Sequence, residues 1–127
     1  MTLIDTSAWV EFLRDTGSST SVQVEDLLKT KPTCCEPVMM ELLAGAQSET
    51  HLRNLRRLVA RCVMLRTESI DYEMAAVIYR NCRSKGKTPR KMIDCLIAAI
   101  AIRNQVRVLH QDQDFDVIAK HSELKLA

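Results

Sequence analysis

From Met92 to Ile102 the sequence runs Met-Ile-Asp-Cys-Leu-Ile-Ala-Ala-Ile-Ala-Ile, eleven residues of which only Asp94 is polar. A helix that is apolar almost all round belongs in a protein interior, so the rest of the chain must wrap it on every side. The 127 residues are enough for one such interior and too few for two ordinary domains. The same run poses a problem. A carboxylate in an apolar helix is costly unless it is neutralised, hydrogen-bonded or bound to a cation. Taken alone, Asp94 fits either a satisfied structural acid or a ligand.

Helical and strand-like segments alternate around this run, the pattern of an α/β domain whose central, mostly parallel sheet is flanked by helices. Thr2 to Ile4 reads as a short buried strand, and Asp5-Thr6-Ser7 supplies the turn and cap for a helix carrying Ala8, Trp9, Phe12 and Leu13. Gly17 to Ser21 is expected as a polar loop, Val22 to Lys29 as a helix ended by Pro32, and Thr33 to Cys35 as a second strand. Pro37 opens a helix that contains Glu41 and stops at Gly45. Glu49 to Val63 is strongly amphipathic, with Leu52, Leu55, Leu58, Val59 and Cys62 on one side and Arg53, Arg57 and Arg61 on another. Met64-Leu65 is the third strand. Ser69 is expected to cap a helix through Met74, Ala75, Ile78 and Cys82 that stops at Gly86, and Thr88-Pro89 to begin the apolar helix. Val106 to Leu109 is the last main strand, followed by a short helix near Asp116 to Lys120 and an edge strand at Leu124 to Leu126.

Several function classes drop out. The five cysteines, at 34, 35, 62, 82 and 95, form no C-x-x-C pair and have no histidine at finger spacing, which excludes a zinc finger and fits free thiols in a reducing compartment. No uncharged stretch is long enough for a membrane span, and the first residues lack a basic, then apolar, leader, so a soluble cytoplasmic protein is expected. The net charge of +2 excludes little, because acids gathered in a cleft and bases around it would still sum to near neutrality.

Asp5 and Asp112 both fall just beyond expected strands, and the carboxyl edge of an open parallel sheet is where ligands bind. Glu41 and Asp94, early in their helices, reach the same edge. Four converging carboxylates repel one another, and a divalent cation resolves the conflict. Hard oxygen donors suit Mg²⁺ or Mn²⁺ better than zinc. Such a site can activate water towards a phosphodiester.

Four segments carry a resemblance: Ile4-Asp5-Thr6-Ser7, Glu41-Leu42-Leu43-Ala44-Gly45, Asp94-Cys95-Leu96-Ile97-Ala98-Ala99 and Asp112-Gln113-Asp114-Phe115. In this order and at these separations they resemble the successive signatures of PIN-domain nucleases, and size and order look like the VapC toxins of bacterial toxin–antitoxin pairs. The resemblance spans nearly the whole chain. It implies a three-layer PIN-like domain over residues 1–127 and a Mg²⁺-dependent endoribonuclease, with Mn²⁺ able to substitute, cutting structured RNA such as tRNA or rRNA. Asp5 and Asp94 would be the principal metal ligands, Asp112 would complete the site, and Glu41 would bind directly or through water. Ser7 would orient Asp5, a role compatible with its serving as a helix cap; Asp114, where relatives often carry an acid, would support the ligands from outside the ligand set, or else face solvent or cap the last helix. A VapB-like antitoxin is implied, as is a homodimer held by apolar helix faces in the first half of the chain, growing to a heterotetramer or larger with antitoxin. The chain departs from the family at His110, where Thr or Ser is common, so no hydroxyl role carries over there.

The basic residues Arg83, Lys85, Lys87, Arg90 and Lys91 directly precede the apolar helix and could guide an RNA backbone to the acids, with Lys87, Arg90 and Lys91 nearest. The Arg53, Arg57 and Arg61 stripe fits a solvated face as well as a phosphate track. Few aromatics leave no base-stacking platform, so RNA recognition would rest on shape and backbone. Two other readings compete: a PIN-like module that binds RNA or a partner without cutting, and a receiver-type signalling domain. The receiver needs a carboxylate pair after its first strand, where Asp5 stands alone.

Overall fold

The computed structural model describes residues 1–127. Four three-residue strands, β1 (Thr2–Ile4), β2 (Thr33–Cys35), β3 (Val63–Leu65) and β4 (Arg107–Leu109), form one parallel sheet in the order β3-β2-β1-β4. Seven helices surround it: α1 (Thr6–Leu13), α2 (Ser19–Leu28), α3 (Glu36–Ala44), α4 (Glu49–Ala60), α5 (Ser69–Ser84), α6 (Met92–Arg103) and α7 (Gln113–Lys120). Every strand is followed by a helix, which is how parallel neighbours are connected. The α/β expectation holds.

Packing follows from the apolar run. Ile97, Ala98, Ala99, Ile100 and Ala101 of α6 are all buried, and their small residues let α5 approach closely from one side while α3, α7 and β4 close the others. Trp9, Phe115, Leu3 and Ile4 are fully buried in the same core. Each such large side chain contributes about 1.5–3 kcal/mol by leaving water.

The register decides where the site can be. Ile4 pairs with Leu109 and the Asp5 N–H donates to the Leu109 carbonyl at 2.9 Å, so the chain leaves β1 and β4 at the same level, side by side.

Several expected boundaries move. The stretch read as a loop up to Ser21 is already helical, because Ser18 caps α2 by accepting the Ser21 N–H. Glu68 rather than Ser69 caps α5, in a reciprocal box in which Asp71 accepts the Glu68 N–H at 2.8 Å. Thr88-Pro89 does not begin α6; the helix starts at Met92 after an extended Lys91. The last helix starts at Gln113, not Asp116, since Asp112 caps it by accepting the Asp114 N–H. The edge strand near the carboxyl terminus reduces to a single parallel bridge between Val108 and Leu126. No helix is long and apolar enough to cross a membrane.

Candidate active site

Two of the acids are placed by capping. Asp5 and Asp112 each follow a strand directly or closely and each accepts a backbone N–H two residues on, Ser7 N for Asp5 and Asp114 N for Asp112, both at 3.0 Å. Since β1 and β4 are neighbours, capping fixes both acids on one edge. Ser7 ties the edge together: its hydroxyl donates to Asp5 Oδ2 and accepts the Gln111 N–H at 2.9 Å. The hydroxyl of Ser7 thus reaches Asp5 as expected, but Ser7 is not the helix cap: Asp5 caps α1 by accepting the Ser7 N–H. Glu41 arrives on α3 after β2, on the other side of β1, where the Thr6 hydroxyl donates to its Oε1 at 2.7 Å. Asp94 enters from the first turn of α6, the helix end that favours a carboxylate.

Asp94, Asp112 and Asp114 each bring an oxygen to within 4.8 Å of the others. Of the roles open to Asp114, solvent exposure and capping drop out, since it is buried and Asp112 takes the cap; it stands beside the ligands instead. The side chain turns inward because the Arg90 N–H and Nε both donate to its Oδ2, at 3.0 and 3.3 Å. Asp5 and Glu41 stand outside this tight trio but close enough for their charges to act on Asp94.

The electrostatics mark the edge as incomplete. Asp94 is 1% exposed and its Oδ2 has no hydrogen-bond partner; Asp5 is 3% exposed and its Oδ1 has none. The other buried orphans, Trp9 Nε1 and the hydroxyls of Thr33 and Thr67, are neutral. Burial, with Asp5, Asp112 and Glu41 adding to it against the opposing Lys91 charge, pushes the Asp94 carboxyl up to about 7. Asp5 is also raised by burial, against the Ser7 hydrogen bonds that hold it down. Unpaired buried carboxylate oxygens are what a hard divalent cation satisfies, so the donor set fits the ion expected from the sequence.

The basic segment behaves unevenly. Arg90 lies against the acids, with Nη2 3.0 Å from Asp112 Oδ1, and Lys91 Nζ is 3.9 Å from Asp112 Oδ2. Lys87 is exposed and pairs with no acid. Arg53 and Arg57 on α4 are exposed as well. His110 accepts the Asp112 N–H on Nδ1 at 3.0 Å and lies 5.3 Å from the Phe115 ring, so it shapes the turn that presents Asp112. The five cysteines are all free and buried, and burial pushes the Cys35 and Cys95 thiols up to about 12, far from the thiolate a soft metal would need.

Two contacts escape a reading of the residues alone. The Thr6–Glu41 bond joins positions 35 apart, and Thr20 donates to Gln111 Oε1 at 2.6 Å across 91 positions. Neither has a local signal.

A parallel sheet with acids gathered at its carboxyl edge is the class of structure to which PIN domains belong, and the PIN domain family model matches residues 2–121, so the chain belongs to the PIN-domain family. Within that family, it is 47% identical, over 100% of its own length and 98% of theirs, to VapC ribonuclease Mb1587 of Mycobacterium bovis and to ribonuclease VapC11 of Mycobacterium tuberculosis. Among solved structures, it superposes on a chain of VapBC2 from Rickettsia felis, bound to a DNA fragment from their promoter, with a TM-score of 0.79 at 18% identity, covering 99% of this chain and 96% of that one. The receiver reading is set aside.

Proposed function

We propose that residues 1–127 act as one PIN domain, a metal-dependent endoribonuclease toxin of a VapBC-type module working in the cytoplasm on structured RNA, tRNA or rRNA. The observation that carries this reading is the pair of orphaned, buried carboxylate oxygens on Asp5 and Asp94 beside the Asp94–Asp112–Asp114 trio. Its full-length similarity to proteins named VapC ribonucleases supplies the class of substrate.

In this reading Asp5, Asp94 and Asp112 hold Mg²⁺, or Mn²⁺ in its place, with Glu41 binding directly or through water and Asp114 adding its inward carboxylate. The ion, when bound, supplies an acidified water and charge for the leaving oxygen. The chain's own residues do the positioning. Ser7 fixes the rotamer of Asp5, Thr6 fixes that of Glu41, and the His110 ring holds the turn that aims Asp112. Lys87, Arg90 and Lys91 hold the RNA backbone on the open side. A VapB-like antitoxin would silence the edge by placing a cation among the acids. A homodimer is supported by a mostly apolar groove of about 430 Å³ in which Pro37, Met39, Met40, Tyr72, Ile93 and Leu96 are joined by the polar Glu36 and Thr67. That groove draws on α3 but also on α5 and α6, so the dimer face would not be confined to the first half of the chain.

The deciding experiment incubates the purified chain with total tRNA and rRNA and maps new RNA ends. Cleavage should need Mg²⁺ or Mn²⁺, stop with a chelator and vanish in Asp94→Asn. Specific binding without any cut would favour the non-catalytic module, and cuts made in excess chelator would overturn the metal mechanism.

A further inference from the structure

The acids of the edge are not equally provided for. Asp112 and Asp114, the outer two, share the Arg90 guanidinium at 3.0 and 3.3 Å, whereas Asp5 Oδ1 and Asp94 Oδ2, the inner two, have no partner. The arm that serves the outer pair is loosely held. Its side chain is 74% exposed, and it projects from the link between α5 and α6 that follows the left-handed turn at Gly86. An exposed ion pair of this kind is weak and exchanges readily with solvent. A divalent cation that satisfied the inner oxygens would also draw on the Asp112 and Asp114 carboxylates, which Arg90 already holds.

We infer that Arg90 is an internal counter-ion, displaced from Asp112 and Asp114 when a divalent metal enters, so that this guanidinium, closer to the acids than the Lys91 ammonium 3.9 Å from Asp112, lowers the metal affinity of the site. The inference rests on the metal-dependent reading above. The side chain is not what ties the loop down: Asp114 also accepts the Arg90 backbone N–H, and Asp112 keeps the Asp114 N–H. Replacing it therefore removes a competing charge and leaves the geometry of the acids in place. The freed guanidinium stays at the mouth of the site, on the side where RNA would arrive.

Calorimetric titration of the full chain with Mn²⁺ tests this, using wild type, Arg90→Gln, Arg90→Lys and Lys87→Gln. Arg90→Gln should bind Mn²⁺ on the order of three- to tenfold more tightly, since an exposed pair no longer has to be broken. Arg90→Lys, which keeps the charge but loses the fork, should fall between it and wild type, and provides the comparison if the glutamine variant folds poorly. Lys87→Gln, whose side chain pairs with no acid, should match wild type. Equal or weaker Mn²⁺ binding by Arg90→Gln, with wild type binding normally, overturns this inference and leaves the metal reading intact. An equal gain in Lys87→Gln would trace the effect to net charge and also overturn it. If neither wild type nor Arg90→Gln takes up Mn²⁺, both readings fall together.

Discussion

Asp94 and Asp71 are the same residue, each 1% exposed, and the protein treats them in opposite ways. Asp71 meets Arg103 through two parallel hydrogen bonds, Nε to Oδ1 at 2.8 Å and Nη2 to Oδ2 at 3.0 Å, and accepts the Glu68 N–H as well. Burial would push its carboxyl up, but the Arg103 and Glu68 hydrogen bonds and the arginine's charge outweigh it and hold the group below the usual carboxylate range. Asp94 has an orphaned oxygen, four acids around it (Asp5, Glu41, Asp112 and Asp114) and a raised carboxyl. A buried acid that the fold has satisfied is structural; one that it has left wanting is a place for a ligand. The contrast is sharper than either residue alone, because the two side chains are chemically alike and equally shut off from solvent, and differ in the charges set around them.

The largest effect that could break it is on cleavage. Asp94→Asn should cut RNA cleavage by at least about a hundredfold, since even outer supports of metal ligands cost 10–100-fold, while the metal-free variant folds normally. Asp71→Ala should do the reverse, leaving cleavage per folded molecule near wild type but lowering stability by about 2–4 kcal/mol. That is less than for a fully enclosed pair, because Arg103 keeps 30% exposure. Urea denaturation and single-turnover cleavage on both variants would read this out. A stable Asp71→Ala that has lost activity would erase the distinction.

Ser7 offers a finer test, as it supports Asp5 in the way that Arg103 supports Asp71. Ser7→Ala should weaken Mn²⁺ binding by roughly tenfold with little loss of stability. Unchanged affinity would reduce Ser7 to a tie between the chain after β4 and the start of α1.

The two acids should also give opposite pH slopes to the metal-free protein. With Asp94 raised from its ordinary 3.8 to about 7, the folded chain binds that proton more tightly than the unfolded chain; its contribution is complete at low pH and is lost as pH rises towards 7. Asp71 is lowered, so its contribution is present above the ordinary carboxylate range and is lost as pH falls through the lowered value. In chelator, the melting temperature of wild type should fall by several degrees between pH 5 and pH 8 relative to Asp94→Asn, and only Asp71→Asn should lose part of the acid-side decline. Parallel profiles for all three proteins would show that the acids are not in different environments.

The smallest effect concerns the open side. Lys87, which holds no acid, is free for phosphate, so Lys87→Ala should lower the salt slope of RNA binding by at most about one unit. An unchanged slope, measured by anisotropy in an Asp94→Asn background, would take it off the RNA path.

Much of this was written locally. The apolar run of α6 required an interior and exposed the Asp94 conflict, because helical burial depends on a pattern carried within a dozen residues. Asp5 and Asp112 were legible as acids beyond strands for the same reason, whereas the cap of α1 is Asp5 itself and not Ser7. Boundaries slipped where a cap competed with a neighbour of similar propensity, as with Glu68 beside Ser69. What the tertiary structure alone decided are the pairings across long separations: which base meets which acid, Arg103 with Asp71 across 32 positions and Arg90 with Asp114 across 24, and the inward turn of Asp114 that follows. A charged side chain has no period and no fixed partner; its role is set by the charges that folding brings within a few ångströms, and by whether they balance.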